Sequence, residues 1–174
     1  MRNDLTGKKV LLIGSGADLN GRGLNERISA QDCEWDAIAR INHHFGEVAD
    51  VGKRMDICFV GHREWATWYF GTCSRREPYL IVAFHDGCGC ERFYRDKVAQ
   101  ELNMGERVSS GLAAVHWLLA HGAQVDIIGF NAPGGDIDMT GRKTYADGTL
   151  DENPLFDWTA EILWIKEQPG VTLL

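Results

Sequence analysis

Short apolar runs recur along the chain, and most of them are followed by a polar or glycine-containing segment. Runs of this length, bounded by residues that favour turns, are typical of strands that are buried on both faces of a sheet. The pattern predicts six strands, at residues 9–14, 36–42, 56–61, 79–84, 125–128 and 171–174.

Between several of these strands the apolar residues recur at helical spacing. One helix is predicted from Ser109 or Ser110 to His121, where Gly122 ends it. A charged stretch at residues 91–101 predicts a surface helix. We expect it to turn three side chains inward, namely Phe93, Val98 and Leu102.

The last helix is predicted to begin at Pro154 and to end near Pro169. Trp158, Ile162 and Ile165 would share one face of it. Residues 62–70 carry aromatics at helical spacing, which suits either a core-facing stripe or a platform for a base or sugar.

Strands that alternate with helices indicate an α/β protein with a mostly parallel sheet and helices on both faces. The 174 residues are enough for one domain, at 1–174, with a Rossmann-like fold. Residues 132–153 form a polar, glycine-rich stretch, long for a connection, which indicates a functional lid or a disordered segment.

The candidate ligand site begins with the segment at residues 109–131, a polar turn followed by an apolar helix and a buried strand. Gly111 would let a ligand approach the first backbone N–H groups of the helix. Those donors, together with the positive end of the helix dipole, suit a phosphate or another anion. The alternative is a helix-to-strand unit of the kind found in any α/β protein.

The first predicted strand runs into a second candidate, the glycine-rich segment around Ser15 and Gly16. Leu19 stands where the G-x-G-x-x-G fingerprint needs its third glycine, which weakens the hypothesis of a dinucleotide oxidoreductase. Asn42 ends the second predicted strand, at the edge where open α/β sheets bind ligands. Arg40, on the same side of that strand, is more typical of an edge or salt-bridged position.

Composition narrows the class of partner. The hydrophobic share of 44% and the charged share of 25% are those of a soluble globular protein. A net charge of -7 argues against a general nucleic-acid or membrane-surface binder. No apolar run is long enough to span a bilayer, and residues 1–4 lack an apolar signal region, so we expect a cytoplasmic protein.

The cysteines give little support for a metal or a disulfide framework. There are five, an odd number, which together with the lack of a signal region favours reduced thiols. Cys88 and Cys90 with the nearby His85 are spaced more closely than zinc ligands usually are. A glycine-rich turn is the better interpretation there.

Two segments together resemble the sialyltransferases, most closely the large and small sialyl motifs of glycosyltransferase family 29. The first comprises residues 10–19 (VLLIGSGADL), 35–42 (WDAIARIN) and 50–52 (DVG). The second runs from Ser109-Ser110-Gly111 to Gly129-Phe130-Asn131. The bacterial sialyltransferases of family 42 share the S-S-G helix and the strand after it.

The resemblance implies a GT-A-like variant of the Rossmann-like fold that holds a CMP-sugar donor at the carboxyl edge of the sheet. Ser15 and Gly16 would lie by the phosphate or ribose, and Asn42 would bind the nucleotide. Three consecutive residues would line the phosphate and the sugar, namely Ser109, Ser110 and Gly111. Three others would frame the nucleotide, namely Gly129, Phe130 and Asn131. The family needs no metal or other cofactor, so the Asp136-Ile137-Asp138 segment, which is similar to the metal-binding D-x-D of other glycosyltransferases, is not expected to bind one.

The chain also departs from the family. Ser15 replaces an asparagine, and the C-terminal catalytic histidine has no match, although Glu161 fits the glutamate that follows it. Asp157 is then the first candidate for the general base, with His62 and His85 as weaker ones. The competing interpretation of Asp157 is a carboxylate that stabilises a helix N-terminus.

The sequence therefore predicts an inverting, metal-independent glycosyltransferase that takes a sugar from a nucleotide donor, CMP-linked by resemblance, to an unknown acceptor. The alternative is a nucleotide-binding or partner-binding module that keeps the fold without the chemistry.

Overall fold

The computed structural model describes residues 4–14, 16, 19, 22–41, 52, 54–61, 80–84, 94–130, 143–144, 150–151 and 157–174. Its strands are β1 (Lys9–Ile13), β2 (Ala37–Ile41), β3 (Ile57–Val60), β4 (Leu80–Ala83), β5 (Gln124–Ile128), β6 (Lys143–Thr144), β7 (Leu150–Asp151) and β8 (Val171–Leu173). Its helices are α1 (Leu24–Ser29), α2 (Tyr94–Leu102), α3 (Ser110–Ala120) and α4 (Trp158–Glu167).

The six predicted strands form one sheet in the order β4-β3-β2-β1-β5-β8. Every pairing in this sheet is parallel. The chain moves outward from β1 through β2 and β3 to β4, and then crosses to the other side of β1 to form β5 and β8. The order of strands therefore reverses between β1 and β5, which makes their carboxyl ends the topological switch point of the sheet.

Side chains of β1 alternate between two apolar layers, as the period of two in a strand requires. Val10 and Leu12 pack with the helices α2, α3 and α4 on one face. Leu11 and Ile13 pack with α1 and Trp35 on the other. The predicted α/β class, the parallel sheet and the helices on both faces are confirmed.

Two helices differ from the sequence-based expectation, and a third segment contains short strands that the sequence did not predict. Helix α1 was not predicted, because only Leu24 and Ile28 of its six residues are buried. Helix α4 begins at Trp158, capped by Asp157, rather than at Pro154, which lies outside the described residues. Within the stretch 132–153, the described residues form the short antiparallel pair β6–β7.

Several other expectations agree with the structure or lie outside the part that it describes. Gly122 follows α3 with a positive φ of 80°, as the predicted helix stop requires. Helix α2 buries Val98, as expected. The aromatic stretch at 62–70 lies outside the described residues. Among the described helices, none combines the length and apolar character needed to cross a membrane.

Candidate functional site at the carboxyl ends of β1 and β5

The segments that follow β1 and β5 are joined by backbone hydrogen bonds at the switch point. The Gly14 N–H donates to the Ile128 carbonyl at 2.8 Å, and the Gly16 N–H donates to the Gly129 carbonyl at 2.7 Å. The glycine-rich turn after β1 and the Gly-Phe segment after β5 therefore meet, although they are far apart in the sequence. Of the residues predicted to bind the donor, Gly16, Gly129 and Phe130 are brought together here.

Gly129 is glycine for two independent reasons. Its φ of 81° lies in the left-handed region, which costs a residue with a Cβ about 1–2 kcal/mol. A Cβ at this position would also lie 2.9 Å from the backbone carbonyl carbon of Gly14. Because backbone atoms cannot move aside as a side chain can, the two strand ends can approach this closely only with glycine.

The Phe130 ring fills the space between the end of β1 and the start of α3. A Cβ on Gly111 would lie 2.8 Å from Cε1 of this ring, and a Cβ on Gly14 would lie 2.9 Å from its Cδ2 and Cε2 atoms. The ring thus contacts a glycine at each of two opposite edges. The sequence interpretation left the space beside Gly111 to a ligand, whereas the structure places Phe130 there.

The first turn of α3 presents two backbone donors. Ser109 is the N-cap, and its Oγ accepts from the Leu112 N–H at 3.1 Å. The Ala113 N–H donates to the Ser109 carbonyl, which begins the helical pattern. In the described part of the chain, nothing accepts from the N–H groups of Ser110 and Gly111. These two donors, at the positive end of the helix dipole, suit an anion.

Two buried charged residues hold the segment that enters α3. Glu161 of α4 is only 4% exposed, and its Oε1 accepts from the Ser109 N–H at 2.7 Å. Arg95 of α2 is 8% exposed, and its Nε donates to the Val108 carbonyl at 2.7 Å. Side chains from two helices therefore fix consecutive residues just before α3, an arrangement that we call the Glu161–Arg95 clamp.

Electrostatics keep the Arg95 side of the clamp charged. Burial lowers the pKa of Arg95 to about 10, and the nearby positive charge of Arg107 acts in the same direction. The negative charges of Glu161 and Asp96 act in the opposite direction. Arg95 therefore remains a cation at neutral pH. Sequence reasoning missed this role, because residues 91–101 look like a surface helix and Glu161 was assigned only by resemblance.

Arg40 has a structural role in the interior of the sheet. It is 3% exposed on β2, which lies between β1 and β3, so of the two expected alternatives, an edge or a salt-bridged position, the edge is wrong. Its Nε donates to the Arg54 carbonyl and its Nη2 to the Gly52 carbonyl, each at 3.0 Å. Arg40 thus fastens the segment before β3 to β2.

Asp157, the first candidate for the general base, is exposed and caps α4. Its carboxylate accepts from the Ala160 N–H at 2.9 Å. The backbone carbonyl of Asp157 accepts from the Glu161 N–H at 2.9 Å. Asp157 therefore lies one helical turn before Glu161 of the clamp. The catalytic role of Asp157 stays a prediction.

The remaining predicted site residues lie outside the described part of the chain. They are Ser15, Asn42 and Asn131 for the donor, His62 and His85 for catalysis, and Asp136, Asp138, Cys88 and Cys90 in the metal hypotheses. Among the described residues, no three His, Cys, Asp or Glu side chains are grouped so that they could hold a metal ion.

A half-buried histidine, His116, lies further along α3 and was not singled out from the sequence. Its Nδ1 lies 2.8 Å from the Tyr94 hydroxyl, its Nε2 lies 3.5 Å from a Glu101 carboxylate oxygen, and its ring stacks on Trp164. Burial lowers the pKa of His116; the charge of Glu101 opposes this and that of Lys97 adds to it.

Two solved structures share this arrangement of strands and helices. Both are crystal structures of a mammalian sialyltransferase, one of them in complex with Gal-beta-1-3GalNAc-ortho-nitrophenol. Each matches with a TM-score of 0.58 and 16% sequence identity, over 96% of this chain and 69% or 68% of theirs. The chain has a sialyltransferase-like fold.

This likeness concerns the fold, since the sequence identity is low. No family model and no curated protein matches the sequence. The sialyltransferase-like fold agrees with the fold that the two motif segments predicted.

Proposed function

We propose that the chain is a glycosyltransferase that binds a CMP-linked sugar where β1 and β5 end and transfers the sugar to an acceptor. Transfer is a single displacement with inversion at the anomeric carbon, and it requires no metal or other cofactor. The sialyltransferase-like fold supports this proposal, because the solved structures that share it are sialyltransferases and the motif segments resemble a family that uses a CMP-sugar donor.

The observation that carries the proposal is the meeting of the two motif segments at the switch point. Gly16 and Gly129 are hydrogen-bonded there, and Phe130 connects them to the start of α3 through its contact with Gly111. Open α/β sheets bind their ligands at this place. The described parts of the two segments that resemble a donor site therefore contact one another at this edge of the sheet.

The chemistry assigned to each group follows from its position. The N–H groups of Ser110 and Gly111 stabilise the phosphate of the leaving CMP. The acceptor hydroxyl attacks the anomeric carbon, the bond from that carbon to the phosphate oxygen breaks, and Asp157 takes the hydroxyl proton. His62 and His85 are the alternatives for that base.

A second candidate function is a nucleotide-binding or partner-binding module without transfer activity. The hydrogen bonds of two carboxylates, one in α4 and one at its N-cap, favour this second function. Asp157 caps the helix, and Glu161 binds the Ser109 N–H, so both have structural partners. Under this hypothesis the nucleotide still binds, but no sugar is transferred.

A thermal-shift panel tests the binding proposal. A ligand that binds only the native state stabilises it by about 2.7 kcal/mol at a hundred times its Kd, which corresponds to a rise in Tm of about 5–10 °C. We expect CMP or a CMP-sugar to raise the Tm more than NAD, ATP or UDP-sugars do. An equal or larger response to NAD would contradict the proposal.

Release of CMP from a CMP-sugar separates the two candidate functions. NMR follows the loss of the donor and the anomeric configuration of the product in one sample. Transfer with inversion supports the glycosyltransferase, whereas tight binding without turnover across an acceptor panel supports the module. We also propose, from the net charge, that neither nucleic acid nor a membrane surface is a general partner. A cytoplasmic location is a separate proposal.

A further inference from the structure

The proposed phosphate site lies beside a buried carboxylate, that of Glu161. Glu161 is buried, and its carboxylate binds the N–H of Ser109, the residue directly before the two donors Ser110 and Gly111. Ser109 is the N-cap, so its N–H directly precedes along the chain the two donors at the start of the helix. A phosphate bound to the two donors would therefore lie close to the carboxylate.

Two opposing influences act on a phosphate at this position. The helix dipole and the donors attract the first negative charge. The carboxylate repels every charge, and burial makes the repulsion stronger than it would be in water. Burial also requires that the carboxylate be compensated, and Arg95 on the neighbouring helix is close enough for their charges to interact.

We propose that Glu161 makes this site selective for a singly charged phosphodiester over a doubly charged phosphate. The inference rests on the proposed function and deepens it. A nucleotide joined to a sugar through one phosphate carries a single charge on that diester. A free nucleotide monophosphate carries a second charge above its second pKa, and a nucleoside diphosphate sugar also carries two. The site thus favours the donor over the released nucleotide.

In the described part of the chain, the cation of Arg95 interacts with the charge of Glu161. Arg95 faces it from α2 and is itself influenced by Asp96 and Arg107. Asp157, the N-cap of α4, adds a second carboxylate at the same helix end. Replacing Glu161 by a neutral residue leaves the cation of Arg95 less compensated, which favours a second phosphate charge.

The test in the parent protein compares CMP with its methyl ester, which differ in one ionisable oxygen. Calorimetry measures both Kd values at about pH 5 and about pH 7.5, on either side of the second phosphate pKa of about 6. We expect the preference for the methyl ester to grow about tenfold as the pH rises, since one added charge pair at this range is worth about one power of ten. The phosphodiester of the methyl ester does not titrate in this pH range, so a change in its Kd reports the titration of protein groups alone.

A matched pair of variants assigns the effect to one residue. Glu161→Gln keeps a side-chain oxygen for the Ser109 N–H but removes the charge, whereas Glu167→Gln makes the same change at an exposed position of the same helix. At about pH 7.5 we expect the Kd of CMP divided by the Kd of its methyl ester to be about tenfold lower in Glu161→Gln than in the parent. In Glu167→Gln this ratio should equal that of the parent.

The outcomes distinguish the inference from the function on which it rests. If the parent binds neither compound, the proposed function and this inference are both overturned. If the parent binds both but its preference does not change with pH, or if CMP is favoured at the higher pH, the inference alone is overturned. The same holds if Glu161→Gln folds and behaves like Glu167→Gln. Should Glu161→Gln not fold, the pH series in the parent decides.

Discussion

Replacing Gly111 by alanine tests why a glycine stands at the start of α3. The new Cβ would lie 2.8 Å from Cε1 of Phe130 and 3.3 Å from Oγ of Ser109. Ordinary contact needs about 3.5–4.0 Å between carbon atoms, so the ring must move. Its opposite edge already lies against Gly14, and a shift away from residue 111 therefore creates a second close contact.

The magnitude follows from two opposing contributions. Overpacking of this kind costs about 1–3 kcal/mol. Alanine is favoured over glycine in a helix by up to about 1 kcal/mol. We expect Gly111→Ala to lower the free energy of unfolding by about 1–2 kcal/mol in the parent. In a Phe130→Leu background, which lacks the outer ring atoms, the same change should be neutral or stabilising by up to about 1 kcal/mol.

Urea unfolding of the parent, the two single variants and the double variant gives the coupling energy between the two positions. We expect about 1–3 kcal/mol, since the residues are in contact. Equal destabilisation by Gly111→Ala in both backgrounds would refute the reasoning. CMP titration of the same four proteins shows whether ligand binding, apart from packing against Phe130, also requires a glycine at position 111. If the double variant binds CMP as tightly as Phe130→Leu does, Gly111 serves Phe130 alone.

Three further predictions concern metal, pH and the general base. Excess EDTA should leave CMP binding unchanged, and a loss restored by Mg²⁺ or Mn²⁺ would contradict metal independence. Because burial lowers the pKa of His116 below 6.5, its contribution to stability is complete above that pH and is lost as the pH falls through the lower folded value. Urea midpoints across this range should therefore fall in the parent, and less so in His116→Gln; equal slopes would refute the assignment. Asp157→Asn should retain the cap and CMP binding but slow transfer by at least about a hundredfold, whereas Asp157→Ala should also cost about 1 kcal/mol of stability. An unchanged transfer rate in Asp157→Asn would exclude Asp157 as the base.

Most of the sheet could be predicted because each strand is a local pattern. The apolar runs of β1, β3 and β5 are buried on both faces, and a glycine follows each of them. The helix α3 begins and ends where its serine and glycine signals indicate. Local residues determine such elements, so the sequence shows them without knowledge of what packs against them.

Contacts between distant segments could not be predicted. Asp126 is a charged residue in the apolar run of β5. Its burial is compensated by Trp35, whose Nε1–H donates to its carboxylate at 2.8 Å, and by Lys9, whose Nζ lies 3.0 Å from it. The bond from Ser109 to Glu161 likewise joins two helices. A pattern along the chain indicates which face is apolar, but it does not indicate which polar groups meet across the core.

The same limit explains the part of the site that sequence reasoning assigned differently. Gly111 was interpreted as space for a ligand, because a glycine after a capping serine has that meaning in phosphate-binding helices. The neighbour that requires it is Phe130, which is brought there by the parallel pairing of β1 with β5. Only the three-dimensional register reveals this contact.

The central claim is that a CMP nucleotide binds to the N–H groups at the start of α3. The most direct test is a titration of the ¹⁵N-labelled protein with CMP, followed by the backbone amide signals in NMR. We expect the largest shifts at Ser110 and Gly111, smaller ones at Gly16 and Gly129, and little change at Gly122, at the far end of α3. Saturable binding with no shift at Ser110 and Gly111, or no binding at all, would contradict it.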